Sequence, residues 1–251
     1  MEKYFNINEK GCSVRCKLYC TDIRRVSGAV VFCHGFAGHK DNRAAQKLAE
    51  RLQKKHPDIA VLVFNWPCHG DDARGKLTLD DCMLYLDLVI AYVRKRFHTD
   101  NLCACATSFG GYLVLKYITE HPNPFRKIAL RCPAINMAEV MESGIMSHGQ
   151  MDELRKGKPI LVGFDRKIKI TPDFLAELHA SDVPERDYTS FSEDIVIAHG
   201  TKDEIVPFDV VRDFAERNAI DFLAVPSADH RFTDPQKMDA AIHYFLTHFQ
   251  F

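Results

Sequence analysis

No apolar run in these 251 residues approaches the roughly 20 residues that a membrane-spanning helix needs. The opening stretch, M-E-K-Y-F-N-I-N-E-K, has neither an apolar core nor a small-residue cleavage site, so no secretory signal is expected and a cytoplasmic location follows. Charge of one sign is not in excess: 33 Lys and Arg face 34 Asp and Glu, for a formal net charge of −1. That balance argues against nucleic acid or an acidic membrane surface as a partner. A small molecule is the expected partner, with the protein a monomer or a homodimer. Repeats, linkers and low-complexity tracts are missing too. At 46% hydrophobic and 27% charged residues, the composition is that of a globular chain long enough to bury a core without disulfides or metals.

Nine cysteines, an odd number without an export signal, read as free thiols in a reducing compartment. The spacing of Cys12, Cys16 and Cys20 fits no common zinc or iron–sulfur pattern. On a strand the three share a face with Val14 and Leu18, as small buried hydrophobes would.

Strand and helix signals alternate along the chain. Tyr4–Asn8 and Cys12–Cys20 read as a hairpin turning at Lys10-Gly11. Short apolar runs at Ala29–Cys33 and Ile59–Phe64 read as buried strands, the first of them on both faces, and Leu102–Thr107, Ile128–Arg131, Asp194–His199 and Phe222–Val225 read as further strands. Helices are expected at Arg43–Lys55, from Thr78 onward with Asp81 completing the cap, at Phe109–His121, and after Asp234-Pro235. The alternation predicts an α/β fold with a mostly parallel sheet covered on both sides. Pro133 to about Ser190 is too long for a plain connection and is expected to be a cap inserted into a single domain. It holds four of the seven methionines, Met137, Met141, Met146 and Met151, which suit either core filling or an adaptable substrate wall.

Three segments carry chemistry. Strand Leu102–Thr107 runs into a helix through Ala106-Thr107-Ser108-Phe109-Gly110, the strand–turn–helix setting of a G-x-S-x-G nucleophile with Ala at the first Gly. Small residues are required because positions two before and two after the serine crowd together on a strained turn. The alternative is a serine that merely caps the helix. After Ala29–Cys33 comes His34-Gly35-Phe36-Ala37-Gly38, a loop able to offer the Phe36 N–H, with the Phe109 N–H, to a developing oxyanion. Asp203 lies on the loop after Asp194–His199, and His230 on the loop before the last helix. Glu204 is the neighbour that could replace Asp203, but it stands one step closer to the next helix. The order Ser108, Asp203, His230 suits a serine nucleophile, its acid and its base. No metal or cofactor is implied, since such a triad needs neither. Gly70–Lys76 matches G-x-x-x-x-G-K, but Leu77 follows where a phosphate loop needs Ser or Thr, and Asp71 and Asp72 would repel phosphate.

On H-G-F-A-G-H-K at His34–Lys40, T-S-F-G-G at Thr107–Gly111, H-G-T-K-D-E-I-V-P at His199–Pro207 and A-D-H-R-F at Ala228–Phe232, the chain resembles the α/β-hydrolase superfamily of serine hydrolases. Within it, the chain is similar to small cinnamoyl/feruloyl esterases and monoglyceride-lipase-like esterases over nearly its whole length. The resemblance implies an eight-stranded, mostly parallel sheet with an inserted cap, and a carboxylesterase that works through an acyl-enzyme. Peptidases, thioesterases and lipase-like hydrolases share the triad and are the alternatives. At the elbow Ala106, Thr107 and Phe109 depart from the family's usual Gly-His-Ser-Gln/Met-Gly. Trp66, on N-W-P-C-H-G after Phe64, is expected with Phe36 and Phe109 to line the substrate pocket with rings. Asp152 and Tyr188 in the insertion would then meet a phenolic hydroxyl. The expected substrate is a short-chain or aromatic, hydroxycinnamoyl-type ester.

Overall fold

The computed structural model describes residues 1–163, 166–181 and 183–251. Its centre is an eight-stranded sheet. β1 (Glu2–Glu9) and β2 (Cys12–Tyr19) form the opening antiparallel hairpin, and both turn residues, Lys10 and Gly11, have positive φ. β3 (Gly28–Cys33), β4 (Ile59–Phe64), β5 (Leu102–Thr107) and β6 (Lys127–Arg131) follow. β9 (Ile195–Gly200) and β10 (Asp221–Val225) complete the sheet. The order is β1-β2-β4-β3-β5-β6-β9-β10, with β2 antiparallel to β4 and every later neighbour parallel. The expected α/β-hydrolase sheet is therefore present.

Four of the apolar runs are strands buried on both faces, every residue of β3, β4, β5 and β9 being buried, while β10 at the sheet edge buries only Val225. One face packs against α1 (Arg43–Lys55) and α8 (Pro235–Phe249), the other against α2 (Leu79–Phe97), α3 (Phe109–Glu120) and α7 (Phe208–Arg217). Caps fix where these helices begin. Asn42 Oδ1 accepts from the N–H groups of Ala44 and Ala45, Thr78 Oγ1 from Asp81, and Asp234 Oδ1 from Gln236. The three expected buried cysteines lie on the inner face of the hairpin and just beyond it, and all nine are free and buried.

The long segment after β6 is built of short pieces. α4 (Met137–Glu139) runs into a π-helical turn, Val140–Ile145. α5 (His148–Arg155) starts with a Ser147–Gln150 capping box. A small hairpin of β7 (Ile160–Val162) and β8 (Ile168–Ile170) replaces the single strand-like piece expected over Ile160–Ile170, part of which lies outside the described residues. α6 (Pro172–His179) is capped by Thr171, and a 3₁₀ turn, Thr189–Asp194, leads into β9. All four methionines of this segment are buried and join the apolar core on the α2–α3 side of the sheet. They fill core rather than form a wall for substrate. Among the described residues no helix is long and apolar enough to cross a membrane.

Candidate active site

Ser108 stands between β5 and α3 with φ 51° and ψ −117°. A side chain seldom adopts such a backbone, and strain of this kind persists only where the surroundings impose it. They do so here. The Ser108 N–H donates to Arg131 O at 3.0 Å, and the Ser108 carbonyl accepts from Tyr112 and Ala134. Gly110 must be glycine, because a Cβ there would lie 2.2 Å from the Cys33 carbonyl oxygen and 2.7 Å from that of His34. The Ser108 side chain does not cap α3, which removes the alternative role for it.

The glycine loop after β3 passes directly over this turn. A Cβ on Gly35 would sit 3.2 Å from Ser108 Cβ. Among the described residues the N–H groups of Phe36 and Phe109 have no hydrogen-bond partner. The two phenyl rings meet edge to face at 6.1 Å.

Asp203 and His230 come together from two other loops. His230 Nδ1 and Asp203 Oδ2 are 2.8 Å apart, so the ring is oriented by the carboxylate. The second oxygen, Asp203 Oδ1, accepts from the N–H groups of Ile205 (2.9 Å) and Val206 (2.8 Å). His199 Nε2 adds a contact at 3.1 Å to Asp203 Oδ2 and also reaches the Val206 carbonyl. The Asp203 side chain has no exposed surface. Burial pushes its pKa up, but hydrogen bonds from His199 and His230, the charge on His230 and the Val206 N–H together hold it well below the usual carboxylate range. Glu204 is exposed and accepts only from the His230 backbone N–H, at 3.3 Å. By its resemblance to hydrolase loops His199, like His34, is expected to be a structural support; the sequence does not show that its ring turns onto Asp203.

Ser108 and His230 line one cleft of about 850 Å³, bordered also by Phe36, Arg131, Phe232 and Met238. The Ser108 hydroxyl makes no hydrogen bond to the His230 ring here; such contacts commonly tighten only when substrate binds.

Several expected pocket residues lie elsewhere. Trp66 is fully buried, its Nε1 donating to the His34 carbonyl at 2.9 Å and its ring packed edge-on against Phe64. It holds the loop after β3 through His34 and does not line the cleft. The Phe109 ring is likewise buried. Tyr188 is buried with its hydroxyl donating to Val183 O, and Asp152 lies at the surface near Arg155. Among the described residues the insertion contributes nothing to the cleft lining. Its hairpin meets two loops: Arg166 donates to the Gly70 carbonyl after β4, and a Cβ on Gly163 would be 3.5 Å from Ala37 Cβ after β3. Gly70–Lys76 is no phosphate cradle. Asp71 pairs with Lys40, and buried Asp72 accepts from Cys68, Arg74 and Tyr85.

A family model described as serine aminopeptidase, S33, matches residues 24–156, more than half of the chain. The chain belongs to that family. It is a serine hydrolase of the α/β-hydrolase fold. Among solved structures it is similar to Est1E from Butyrivibrio proteoclasticus with ferulic acid bound, at 18% identity over 97% of this chain and 98% of that one, with a TM-score of 0.76. It is also similar to the mouse alpha/beta hydrolase domain-containing protein 10, at 14% identity over 97% and 96% of the two chains, with a TM-score of 0.71. A monoacylglycerol lipase from Paleococcus ferrophilus aligns at 18% identity over 94% and 99%, with a TM-score of 0.64. A search of curated proteins found no match.

Proposed function

We propose that this serine hydrolase cleaves small carboxylic esters, with Ser108 as nucleophile, His230 as general base and acid, and Asp203 as the group that orients and charges the imidazole. The observation that carries the reading is that His230, held by Asp203 at 2.8 Å, lines one cleft with Ser108, a serine on a strained turn. In the first step Ser108 Oγ attacks the ester carbonyl while His230 Nε2 takes its proton. The tetrahedral oxyanion is met by the Phe36 and Phe109 N–H groups, each donor worth roughly 3–4 kcal/mol of barrier in a site of this kind. Collapse expels the alcohol, protonated by His230, and leaves an acyl-enzyme. Water, activated by the same imidazole, releases the acid and restores Ser108. Every proton is carried by residues of this chain.

The acyl group is proposed to be short. A cleft of about 850 Å³ suits a small acid. Of the three rings expected in the pocket only Phe36 lines the cleft, where Phe232 joins it; Trp66 and the Phe109 ring are buried. The ferulic acid held by Est1E is the reason to keep a hydroxycinnamate in the test. The insertion is proposed to buttress the oxyanion loop within a single domain rather than to cover substrate.

A fluorophosphonate probe should label wild type and not Ser108→Ala, and Ser108→Ala should lose at least ~10³-fold in kcat while keeping its fold. Hydrolysis of 4-nitrophenyl butyrate, methyl ferulate, 4-nitrophenyl palmitate and an aminoacyl 4-nitroanilide then fixes the class. Preference for the palmitate or the anilide would overturn the small-ester reading.

A further inference from the structure

The chain as a whole is balanced, with 33 basic and 34 acidic residues, but the cleft is not. Among the described residues its lining includes Arg43, Lys47, Arg131 and Arg231 and one carboxylate, Asp41; Lys47 is paired with Asp239 at 3.7 Å and Arg231 also has a partner, which leaves Arg43 and Arg131 as the cations of interest. Asp41 is already engaged by Lys17 at 3.4 Å and Lys40 at 3.6 Å. The N-terminal residues of α1 and α8 line the same space, and both helix dipoles add positive potential there.

Arg131 is the group that needs explaining. It ends β6 beside the elbow, paired in register with Thr107, and its carbonyl accepts from Ser108. The residue is only 7% exposed. Among the described residues no carboxylate lies within salt-bridge distance of its guanidinium, and its Nε has no hydrogen-bond partner. Its contacts are weak ones: Nη1 lies 3.0 Å from Met238 Sδ, and the guanidinium sits 5.4 Å from the Phe232 ring centre. Asp203 and Asp229 act on it only at longer range, and burial pulls its pKa below the ordinary guanidinium value. A buried cation with unused donors is costly unless something completes it.

We propose that Arg131 is a substrate-binding residue that receives a carboxylate carried by the substrate in addition to the ester. On this inference, which rests on the small-ester reading above, the natural substrate is the half-ester of a short dicarboxylic acid or an ester with a comparable free carboxylate. A planar guanidinium facing a partly desolvated cleft suits a bidentate carboxylate, and the surrounding cations steer the anion in.

The test compares kcat/KM for mono-4-nitrophenyl glutarate with that for 4-nitrophenyl butyrate, in wild type and in Arg131→Met. Wild type should favour the anionic ester at least ~10-fold, since a charge-assisted hydrogen bond is among the stronger polar contacts. The Arg131→Met variant should lower that ratio at least ~10-fold, and 0.5 M salt should lower it in wild type as well. A wild-type ratio of one or less, or a ratio unmoved in a folded Arg131→Met, overturns the inference. Should Arg131→Met fail to fold, the wild-type ratio still decides. Calorimetric titration with glutarate, glutaramide and inorganic phosphate separates this inference from the activity reading. If neither ester is turned over, the small-ester reading fails; glutarate binding without glutaramide binding would still support the carboxylate site, and no glutarate binding would overturn it. Tighter binding of phosphate than of glutarate would overturn the carboxylate assignment.

Discussion

Replacing Asp203 with asparagine tests the site at its most constrained point. The carboxylate accepts four contacts: two backbone N–H groups on Oδ1, and His230 Nδ1 and His199 Nε2 on Oδ2. An asparagine must keep its carbonyl oxygen on the Ile205 and Val206 N–H groups, so its NH₂ takes the place of Oδ2. That NH₂ then faces two ring nitrogens. For His230 the only favourable response is to accept at Nδ1, which moves the ring proton to Nε2. The nitrogen that should take the Ser108 proton is then already protonated. The imidazolium also loses its counter-charge. Together these effects should lower kcat about 10⁴-fold, equivalent to about 5 kcal/mol of barrier, as in other serine enzymes whose triad acid is amidated. The Glu204→Gln change should cost no more than a few-fold, because Glu204 meets only the His230 backbone N–H from an exposed position. Steady-state hydrolysis of 4-nitrophenyl butyrate, with circular dichroism to check folding, decides the matter. A folded Asp203→Asn within tenfold of wild type, or a larger loss in Glu204→Gln, would refute the assignment.

Other consequences are equally specific. In Gly110→Ala the new Cβ would meet the Cys33 carbonyl oxygen at 2.2 Å, so α3 must shift from β3; a loss on the order of 3 kcal/mol by urea unfolding is expected, together with lower kcat. By contrast Gly149→Ala, whose Cβ would meet nothing within 4 Å, should stay within about 1 kcal/mol of wild type. Burial pulls the His69 pKa down to about 4, and burial with the nearby His69 pulls His34 well down too. Both are therefore neutral in the folded protein while the unfolded chain takes up protons below its ordinary His value of ~6.5. Stability should be undiminished by these groups above that pH and fall between about 6.5 and 4, by roughly 1.4 kcal/mol per pH unit for each such histidine. Urea unfolding across that window checks it, with His69→Gln giving a shallower slope. Finally, all nine cysteines are free and buried; a thiol reagent should react slowly with native protein and count nine thiols only after denaturation.

The parts of this site that the sequence disclosed are those whose chemistry is tied to a position in the chain. Ser108 was legible because a strand of small and apolar residues runs straight into a helix with Gly110 at the crowded position, and the structure shows why: the backbone of β3 lies where a side chain would go. Asp203 was preferred to Glu204 for its place in the loop; the Asp203 side chain is fully enclosed beside His230 and Glu204 lies at the surface. Alternation of short apolar runs with capped helices was enough for the sheet, since the inner parallel strands are covered on both faces.

Side-chain direction was not legible in the same way. Trp66 lies close to the site along the chain, but its indole N–H binds the His34 carbonyl and its ring turns into the core. A buried tryptophan needs a partner for that N–H, and the oxyanion loop supplies it. The methionines of the insertion posed the same ambiguity, because soft apolar side chains suit a core and a pocket equally. Arg131 is the converse case. In I-A-L-R it reads as an ordinary charged strand end, and only α8, more than a hundred residues later, encloses it with Met238. Its burial is a tertiary fact with no local signature. Specificity is therefore the hardest property to read from this chain: the strained turn at Ser108 is set by local backbone requirements, while the walls of the cleft are assembled from segments that carry no motif.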